Sequence, residues 1–237
     1  MKRSLNILLA MLLLSASSFA QKLPADSIFS NFYKATGGKA LWQGVKTFNL
    51  KRSYTAKAAA PYDANVTVSI PDQSISKSKV IMKRNFVYTV KGNEAWIKVP
   101  AGARTDVKDM SQAEQQNLRT EMYDLLLPFI NYKDRGLIAT TVGTETINGM
   151  PLTQVELQGK GVKYNLYFDS KTDLLWRVRK NAAGVETVTD MSDYAKSTYG
   201  ISYPSKLVET NSLDKKPVTI ASTVVVNGQV SPEAFKR

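Results

Sequence analysis

Residues 162–180, VKYNLYFDSKTDLLWRVRK, carry the clearest structural signal in the sequence. Apolar and polar side chains alternate from Val162 to Phe168, a turn-forming stretch follows, and a second apolar run begins at Leu174. A period of two on both sides of a short turn is typical of a β-hairpin. The stretch therefore predicts two antiparallel strands joined by a tight turn.

The same pattern recurs on both sides of this hairpin. Alternating runs occupy residues 48–54, 66–70, 86–90, 95–99, 137–145, 152–158, 185–194, 201–210 and 217–226. Turn signals separate them, among them Asn148-Gly149, a pair that favours the type I′ turn of a hairpin. About ten short strands with turns between them predict one antiparallel sheet.

Two helical segments accompany the strands, one before them and one in the middle of the series. The first begins near Asp26, ends at Gly37-Gly38 and has an apolar face that consists of Ile28, Phe29, Phe32 and Tyr33. The second follows a capping box of Ser111 and Glu114 and is ended or kinked by Pro128. Residues 129–132 continue as an apolar segment, for which a second short helix is one interpretation. A mainly β, α+β fold follows, in which one curved antiparallel sheet curls around the helices.

Composition excludes several kinds of chemistry. The chain of 237 residues has no cysteine and no histidine, and its formal net charge is +12. Disulfides, thiol nucleophiles and imidazole bases are therefore excluded, and we expect neither a metal nor a cofactor.

Two short motifs do not support a catalytic or calcium site. Ser74-Ile75-Ser76-Lys77 resembles a serine acylase motif, but it lies in a strand-like stretch where the serine and lysine would point to opposite faces. Asp169 and Asp173 flank a turn without the glycine and final glutamate of an EF-hand.

Residues 1–20 have the pattern of a secretory signal peptide. Lys2 and Arg3 precede an apolar run that is too short to span a bilayer well, and small residues precede a cut after Ala20. A retained N-terminal anchor is the alternative interpretation. We therefore expect an exported protein whose single domain covers residues 21–237. No cysteine follows the cut, so the protein is not expected to be a lipoprotein.

The order of elements resembles a known family. The residues that carry the resemblance are Ala35-Thr36-Gly37-Gly38, Gly92-Asn93-Glu94-Ala95-Trp96, Ile147-Asn148-Gly149, Tyr167-Phe168-Asp169, Leu174-Leu175-Trp176-Arg177, Asp193-Tyr194 and Gly200-Ile201-Ser202-Tyr203-Pro204. Together with the central helical insert they resemble the LolA/LolB superfamily of periplasmic lipoprotein-sorting proteins. The group most similar is the bacterial outer membrane lipoprotein-sorting proteins. The pattern covers most of residues 21–237.

The resemblance implies an unclosed β-barrel whose concave face is covered by helices and takes acyl chains. Lid candidates are Leu125, Leu126, Phe129 and Ile130. Candidates for the concave face are Phe86, Tyr88, Trp96, Tyr164, Leu166, Phe168 and Trp176. Each of these side chains could instead fill a dry core, because apolar alternation does not distinguish packing from a pocket.

Two arginines are candidates for a role in transfer. In the lipoprotein carriers an arginine within a basic-Arg-Pro-Asn stretch matters for one-way transfer, and Arg84 is similarly placed but lacks the proline. Arg84 could equally be a solvated charge at a strand end. Arg52 alternates with Phe48, Leu50 and Tyr54, which predicts an inward guanidinium paired with a carboxylate, unless the strand ends or bulges there.

The resemblance favours a non-enzymatic periplasmic carrier or chaperone that binds lipid or an acylated protein, and we expect it to act as a monomer. An envelope protein-interaction module with a filled core is the alternative, as a partner of an exported protease-like or assembly protein. A carboxylate-based hydrolase of envelope glycans is a third hypothesis. The spread of positive charge is compatible with an anionic envelope surface, and no basic patch with interleaved aromatics indicates nucleic acid.

Overall fold

The computed structural model describes residues 22–57 and 59–237; the expected signal peptide lies outside the described residues. The helices are α1 (Ala25–Ala35), α2 (Lys39–Gln43) and α3 (Gln112–Asp124), with a 3-10 helix at Pro232–Phe235. The first six strands are β1 (Thr47–Ala56), β2 (Ala59–Ser69), β3 (Ser74–Ile81), β4 (Arg84–Lys91), β5 (Glu94–Ala101) and β6 (Arg104–Asp109). The remaining strands are β7 (Ile138–Ile147), β8 (Met150–Gly159), β9 (Val162–Asp169), β10 (Leu175–Ala182), β11 (Val185–Lys196), β12 (Ser202–Asn211) and β13 (Val218–Val226).

The strands form one antiparallel sheet in the order β6-β5-β4-β3-β2-β1-β13-β12-β11-β10-β9-β8-β7. β6 and β7 are its edges, so the sheet does not close into a barrel. This confirms the expected single sheet, but 13 strands are more than the ten or so expected. The polar strand β6 shows why, because its sequence RTDVKD contains no alternating apolar residues that would mark it.

The pairing of β1 with β13 joins the two halves of the sheet. Phe48 lies opposite Val226, and Leu50 lies opposite Val224. All four side chains are buried in one core cluster with the helices, which defines the concave face. The long-range pairing of the first strand with the last places the helical insert, which falls between β6 and β7, over that face.

Two segments that carry the family resemblance meet in space. Gly37 has a φ of +121°, and a Cβ there would lie 2.6 Å from the carbonyl oxygen of Gly200. The Ser202 backbone N–H donates to the Thr36 carbonyl at 2.9 Å, and the Trp42 indole N–H donates to the Thr36 hydroxyl at 2.8 Å. The end of α1 is therefore fixed against the start of β12, where only glycine fits the approach.

Helix α3 begins as expected but is not followed by a second helix. The Ser111 side chain accepts from the Glu114 backbone N–H, and the Glu114 carboxylate accepts from the Ser111 N–H, so the capping box is present. After Asp124 the chain runs in turns as far as residue 136. The expectation of a short helix at 129–132 is wrong, since the Arg135 guanidinium binds the carbonyls of Pro128 and Ile130 that a helix would use.

Candidate functional site

A short apolar segment without regular structure covers the middle of the concave face. We call residues 125–130, sequence LLLPFI, the covering segment. All six residues are buried although none lies in a helix or strand. Their backbone therefore depends on side chains from elsewhere for part of its hydrogen bonding.

An aromatic cluster packs on one side of the covering segment. We define it by Phe29 and Phe32 of α1, Phe129 of the covering segment and Phe168 of β9. The Phe29 and Phe129 rings stack with centroids 4.4 Å apart, and Phe32 meets Phe129 edge-on at 5.3 Å. All four side chains are at most 3% exposed. These four rings pack against one another on this side of the concave face, and the aromatic contacts add to the burial energy.

A cavity of about 230 Å³ lies on the other side of the covering segment. Its apolar wall includes Leu125, Val178, Met191 and Leu207, and Pro128 also borders it. Val178 and Met191 come from β10 and β11, and Leu207 lies opposite Met191 in the register of β11 and β12. The alternation of these strands thus places their apolar residues in one patch beneath the covering segment.

Arg52 connects the sheet to the covering segment. Its Nη2 donates to the carbonyl oxygen of Leu125 at 3.0 Å, while its buried Nε has no hydrogen-bond partner among the described residues. The guanidinium points inward, as the alternation predicts. The expected carboxylate partner is wrong, because the acceptor is a backbone carbonyl. Leu125 is the C-cap of α3, and carbonyls at the end of a helix have no intrahelical donor, so the guanidinium supplies one.

Two ion pairs attach the end of α3 to both halves of the sheet, and we call them the polar rim. Lys77 on β3 binds Glu121, and Lys180 on β10 binds Asp124 at 2.7 Å. The Tyr164 hydroxyl also donates to Asp124, at 2.9 Å. Glu121, Asp124, Tyr164 and Lys180 all border the cavity. The cavity therefore has an apolar wall and a charged margin.

Burial changes the titration of groups on this face. Burial, with the negative charge of Asp124, raises the pKa of the Tyr164 hydroxyl, so Tyr164 stays a hydrogen-bond donor. Burial, with the positive charge of Lys77, lowers the pKa of Lys79. Burial raises the pKa of Tyr62 to about 12.

Most of the predicted cavity and lid residues lie together on the concave side. The buried members of the core are Leu125, Leu126, Phe129, Ile130, Tyr164, Leu166 and Phe168, and Tyr88 packs against them half-buried. Among these, Leu125 and Tyr164 border the 230 Å³ cavity. The others fill the space around it, which is the dry-core alternative that the sequence left open.

Two predicted residues, both tryptophans, lie elsewhere. Trp96 is buried but faces away from the core, since its neighbours Ala95 and Ile97 point inward and the Arg237 guanidinium lies 5.9 Å from its ring. Trp176 sits at a register shift between Leu175 and Arg177, is half-buried, and stacks on Arg177 outside the core. The concave-face prediction is wrong for both tryptophans.

Phe86 and Arg84 lie at the outer end of β4. Phe86 is half-buried and is not part of the core. Arg84 is exposed, donates to the Pro100 carbonyl at 3.0 Å and has its guanidinium 5.9 Å from the Phe86 ring. These contacts do not connect Arg84 to the covering segment.

The sequence did not single out the polar rim. Lys77 is 8% exposed, yet it lies in the polar stretch SISKSK, whose composition does not distinguish an inward lysine from an outward one. Asp124 and Lys180 are far apart in the chain and meet only through the long-range register. The one available signal was the period-two spacing that puts Lys77 on the same face as Ile75.

Within residues 22–57 and 59–237, no helix combines the length and apolar character that a membrane span requires.

Comparison with solved structures identifies the fold. A LolA superfamily protein from Nitrosomonas europaea matches with a TM-score of 0.61 at 13% identity, over 91% of this chain and 98% of that one. A putative outer membrane lipoprotein-sorting protein domain from Vibrio parahaemolyticus matches with a TM-score of 0.57 at 12% identity, over 88% and 94% of the two chains. A DUF1329 family protein from Desulfovibrio piger matches with a TM-score of 0.60 at 10% identity, over 90% of this chain and 97% of that one. The chain has a LolA-like fold.

No protein-family model and no curated protein matches the sequence.

Proposed function

We propose that this protein is a non-enzymatic carrier or chaperone of the periplasm that binds lipid or lipoprotein acyl chains on its concave face. The observation that carries the proposal is the cavity between the covering segment and β10–β12, in a LolA-like fold. An unclosed sheet leaves apolar side chains on its concave side that need a cover, and a displaceable cover makes them a binding site.

The size of the cavity indicates that the cover must move for a ligand to bind. Ligand pockets of drug-sized molecules measure roughly 300–1,000 Å³, and the cavity here is about 230 Å³. An acyl chain needs the space that the covering segment occupies. We therefore infer a closed state in this structure and an open, ligand-bound state in which Leu125 leaves the cavity wall.

The contacts that close the site are of a kind that a ligand can replace. Arg52 holds Leu125 by one hydrogen bond, and the polar rim holds α3 by two ion pairs in which Lys77 is buried and the other three side chains are partly exposed. Each such contact contributes about 1–3 kcal/mol or less. Transfer then proceeds by opening and by a difference in affinity between donor and acceptor, with no covalent step.

Mass spectrometry of bound lipids tests the proposal. The protein is expressed with its own leader, purified without detergent and extracted for phospholipid and acylated peptide. We expect about one bound amphiphile per chain, and we expect added lipid to displace a polarity-sensitive dye from the emptied protein. A clean extract together with no dye uptake would contradict the carrier proposal.

A matched pair of variants locates the binding. Val178→Trp fills the cavity wall, whereas Val225→Trp adds the same bulk at a position that is 49% exposed. We expect the first variant to lose dye and lipid binding and the second to retain both. Equal binding by the two variants, with both folded by circular dichroism, would place the ligand elsewhere.

The aromatic cluster supports a second candidate function. It fills one side of the concave face with four nearly inaccessible rings, as a protein-interaction module with a filled core would require. Such a module would bind an envelope partner by its outer surface and take up no lipid. The extraction experiment separates the two functions.

A further inference from the structure

A second cavity, of about 240 Å³, lies on the other side of Tyr164 from the first. Five parts of the chain border it: the turn before β3, helix α3, the turns before β7, the β8–β9 turn and strand β9. Apart from Tyr164, which borders both, its wall differs from that of the first cavity. Its lining is mixed: Met122, Leu137 and Val162 form an apolar part, and the polar part contains three cationic residues, Arg119, Arg135 and Lys160, and one acid, Asp134.

None of the three cations forms an ion pair in the part of the chain that the structure describes. Arg119 donates to the Gly92 carbonyl. Arg135 donates through Nη1 to Pro128 and Ile130, at 2.6 and 3.3 Å, and its guanidinium lies 4.1 Å from the Tyr123 ring. Lys160 is exposed. Neutral carbonyls satisfy some of the donors but leave the positive charge uncompensated.

We propose that this cavity binds a phosphate-class oxyanion between Arg119, Arg135 and Lys160. Planar guanidinium groups suit two-point binding of phosphate oxygens, and the lysine adds a point charge. Gln116 and Thr120 of α3 also border the cavity and supply further donors.

The position of the site gives such an anion a structural effect. Arg119 belongs to α3, Arg135 holds the covering segment by two of its carbonyls, and Lys160 belongs to the β8–β9 turn. A bound oxyanion would attract all three at once. It would therefore stabilise α3 and the covering segment in the closed position relative to the sheet.

The chemistry fits two sources, a free phosphate and the phosphodiester of a lipid headgroup. Isothermal titration calorimetry tests free phosphate: inorganic phosphate is titrated at constant ionic strength, and chloride is the control anion. Flotation with phosphatidylglycerol vesicles against phosphatidylcholine vesicles tests the second. The proposal goes beyond the acyl-chain site, since phosphate binding can be present in a protein whose lipid extract is empty.

The variant that tests the site is Arg119→Gln with Lys160→Gln, and the matched control is Lys171→Gln with Lys196→Gln. Both double variants lose the same charge, and the control positions are exposed residues that do not border the cavity. Arg135 is left intact because it also supports the covering segment.

We expect saturable phosphate or phosphatidylglycerol binding that the site variant weakens about tenfold or more and the control weakens less than about twofold. Binding of phosphate alone assigns a free oxyanion, and binding of vesicles alone assigns a lipid headgroup. Equal loss in both double variants would show a general charge effect and would overturn the proposal. Absence of saturable binding with either probe would overturn it as well.

Discussion

The aromatic cluster and the polar rim lie on opposite sides of the covering segment and hold it by different interactions. Phe29, Phe32 and Phe168 pack their rings against buried Phe129. On the other side, α3 buries only Leu118 and Met122 of its 13 residues and is held by the Lys77–Glu121 and Lys180–Asp124 pairs.

This difference separates a fixed part of the molecule from a displaceable part. Buried aromatic packing is lost only at a cost of several kcal/mol, whereas the charges of an ion pair regain their hydration when the pair opens, so its exchange for water costs little. We therefore expect the covering segment to pivot about Phe129, with α3 and Leu125 moving away from the sheet.

The largest effect is expected from a break in the aromatic cluster. Phe32→Ala removes a side chain that is 0% exposed and meets Trp42, Phe129 and Phe168. We expect a loss of about 3–5 kcal/mol in the free energy of unfolding, measured by urea denaturation. The matched control Phe86→Ala, at the half-buried outer end of β4, should cost about 1 kcal/mol. Equal losses would show that the aromatic cluster is not the main core.

Arg52→Met tests the displaceable part of the molecule, the covering segment. It removes the donor to the Leu125 carbonyl and should favour opening of the covering segment by about 1–3 kcal/mol. We expect faster amide exchange in residues 112–130, higher dye uptake and little change at α1. The control is Arg84→Met, whose carbonyl contact lies at an exposed site; if it opened the site equally, the role assigned to Arg52 would be wrong.

Lys180→Met should have a smaller effect of the same kind. The Lys180 and Asp124 side chains are 28% and 17% exposed. We expect the substitution to destabilise the closed position of α3 by about 1 kcal/mol. Added salt weakens the wild-type ion pair and should make this difference smaller. A double-mutant cycle with Asp124→Asn measures the coupling between the two residues. Zero coupling energy at low salt would remove this pair from the closing contacts.

The smallest effect is expected at acid pH on the aromatic side. Hydrogen bonds from Lys133 and Tyr132 hold the pKa of Asp26 below its usual 3.8. A carboxyl whose pKa is lower in the folded state contributes stability above its unfolded pKa and loses it as pH falls through the folded value. The stability difference between wild type and Asp26→Asn should therefore shrink below about pH 4. A difference that stays constant between neutral pH and pH 3 would contradict this assignment.

The strands and the concave face were predictable because both depend on local alternation. Phe48, Leu50, Leu166 and Phe168 follow a period of two, and all of them are buried in the core. The capping box was equally predictable, since it depends only on Ser111 and Glu114, which are three residues apart.

What could not be predicted depends on register and on distant segments. A register shift at Trp176 changes the face of a residue without any local signal. Trp96 is covered on the outer face by the chain's last residues, which lie 141 positions later in sequence. The polar rim likewise joins strands that become neighbours of α3 only when the whole sheet is assembled.

Hydrogen–deuterium exchange with mass spectrometry most directly tests the distinction between a fixed and a displaceable part. The amides of residues 112–130 are compared with those of α1, in the free protein and after addition of the lipid recovered by extraction. We expect residues 112–130 to exchange faster than α1 when free and to change protection on lipid addition, while α1 remains unchanged. Equal protection of both segments, unaltered by lipid, would contradict a displaceable cover and the carrier function proposed from it.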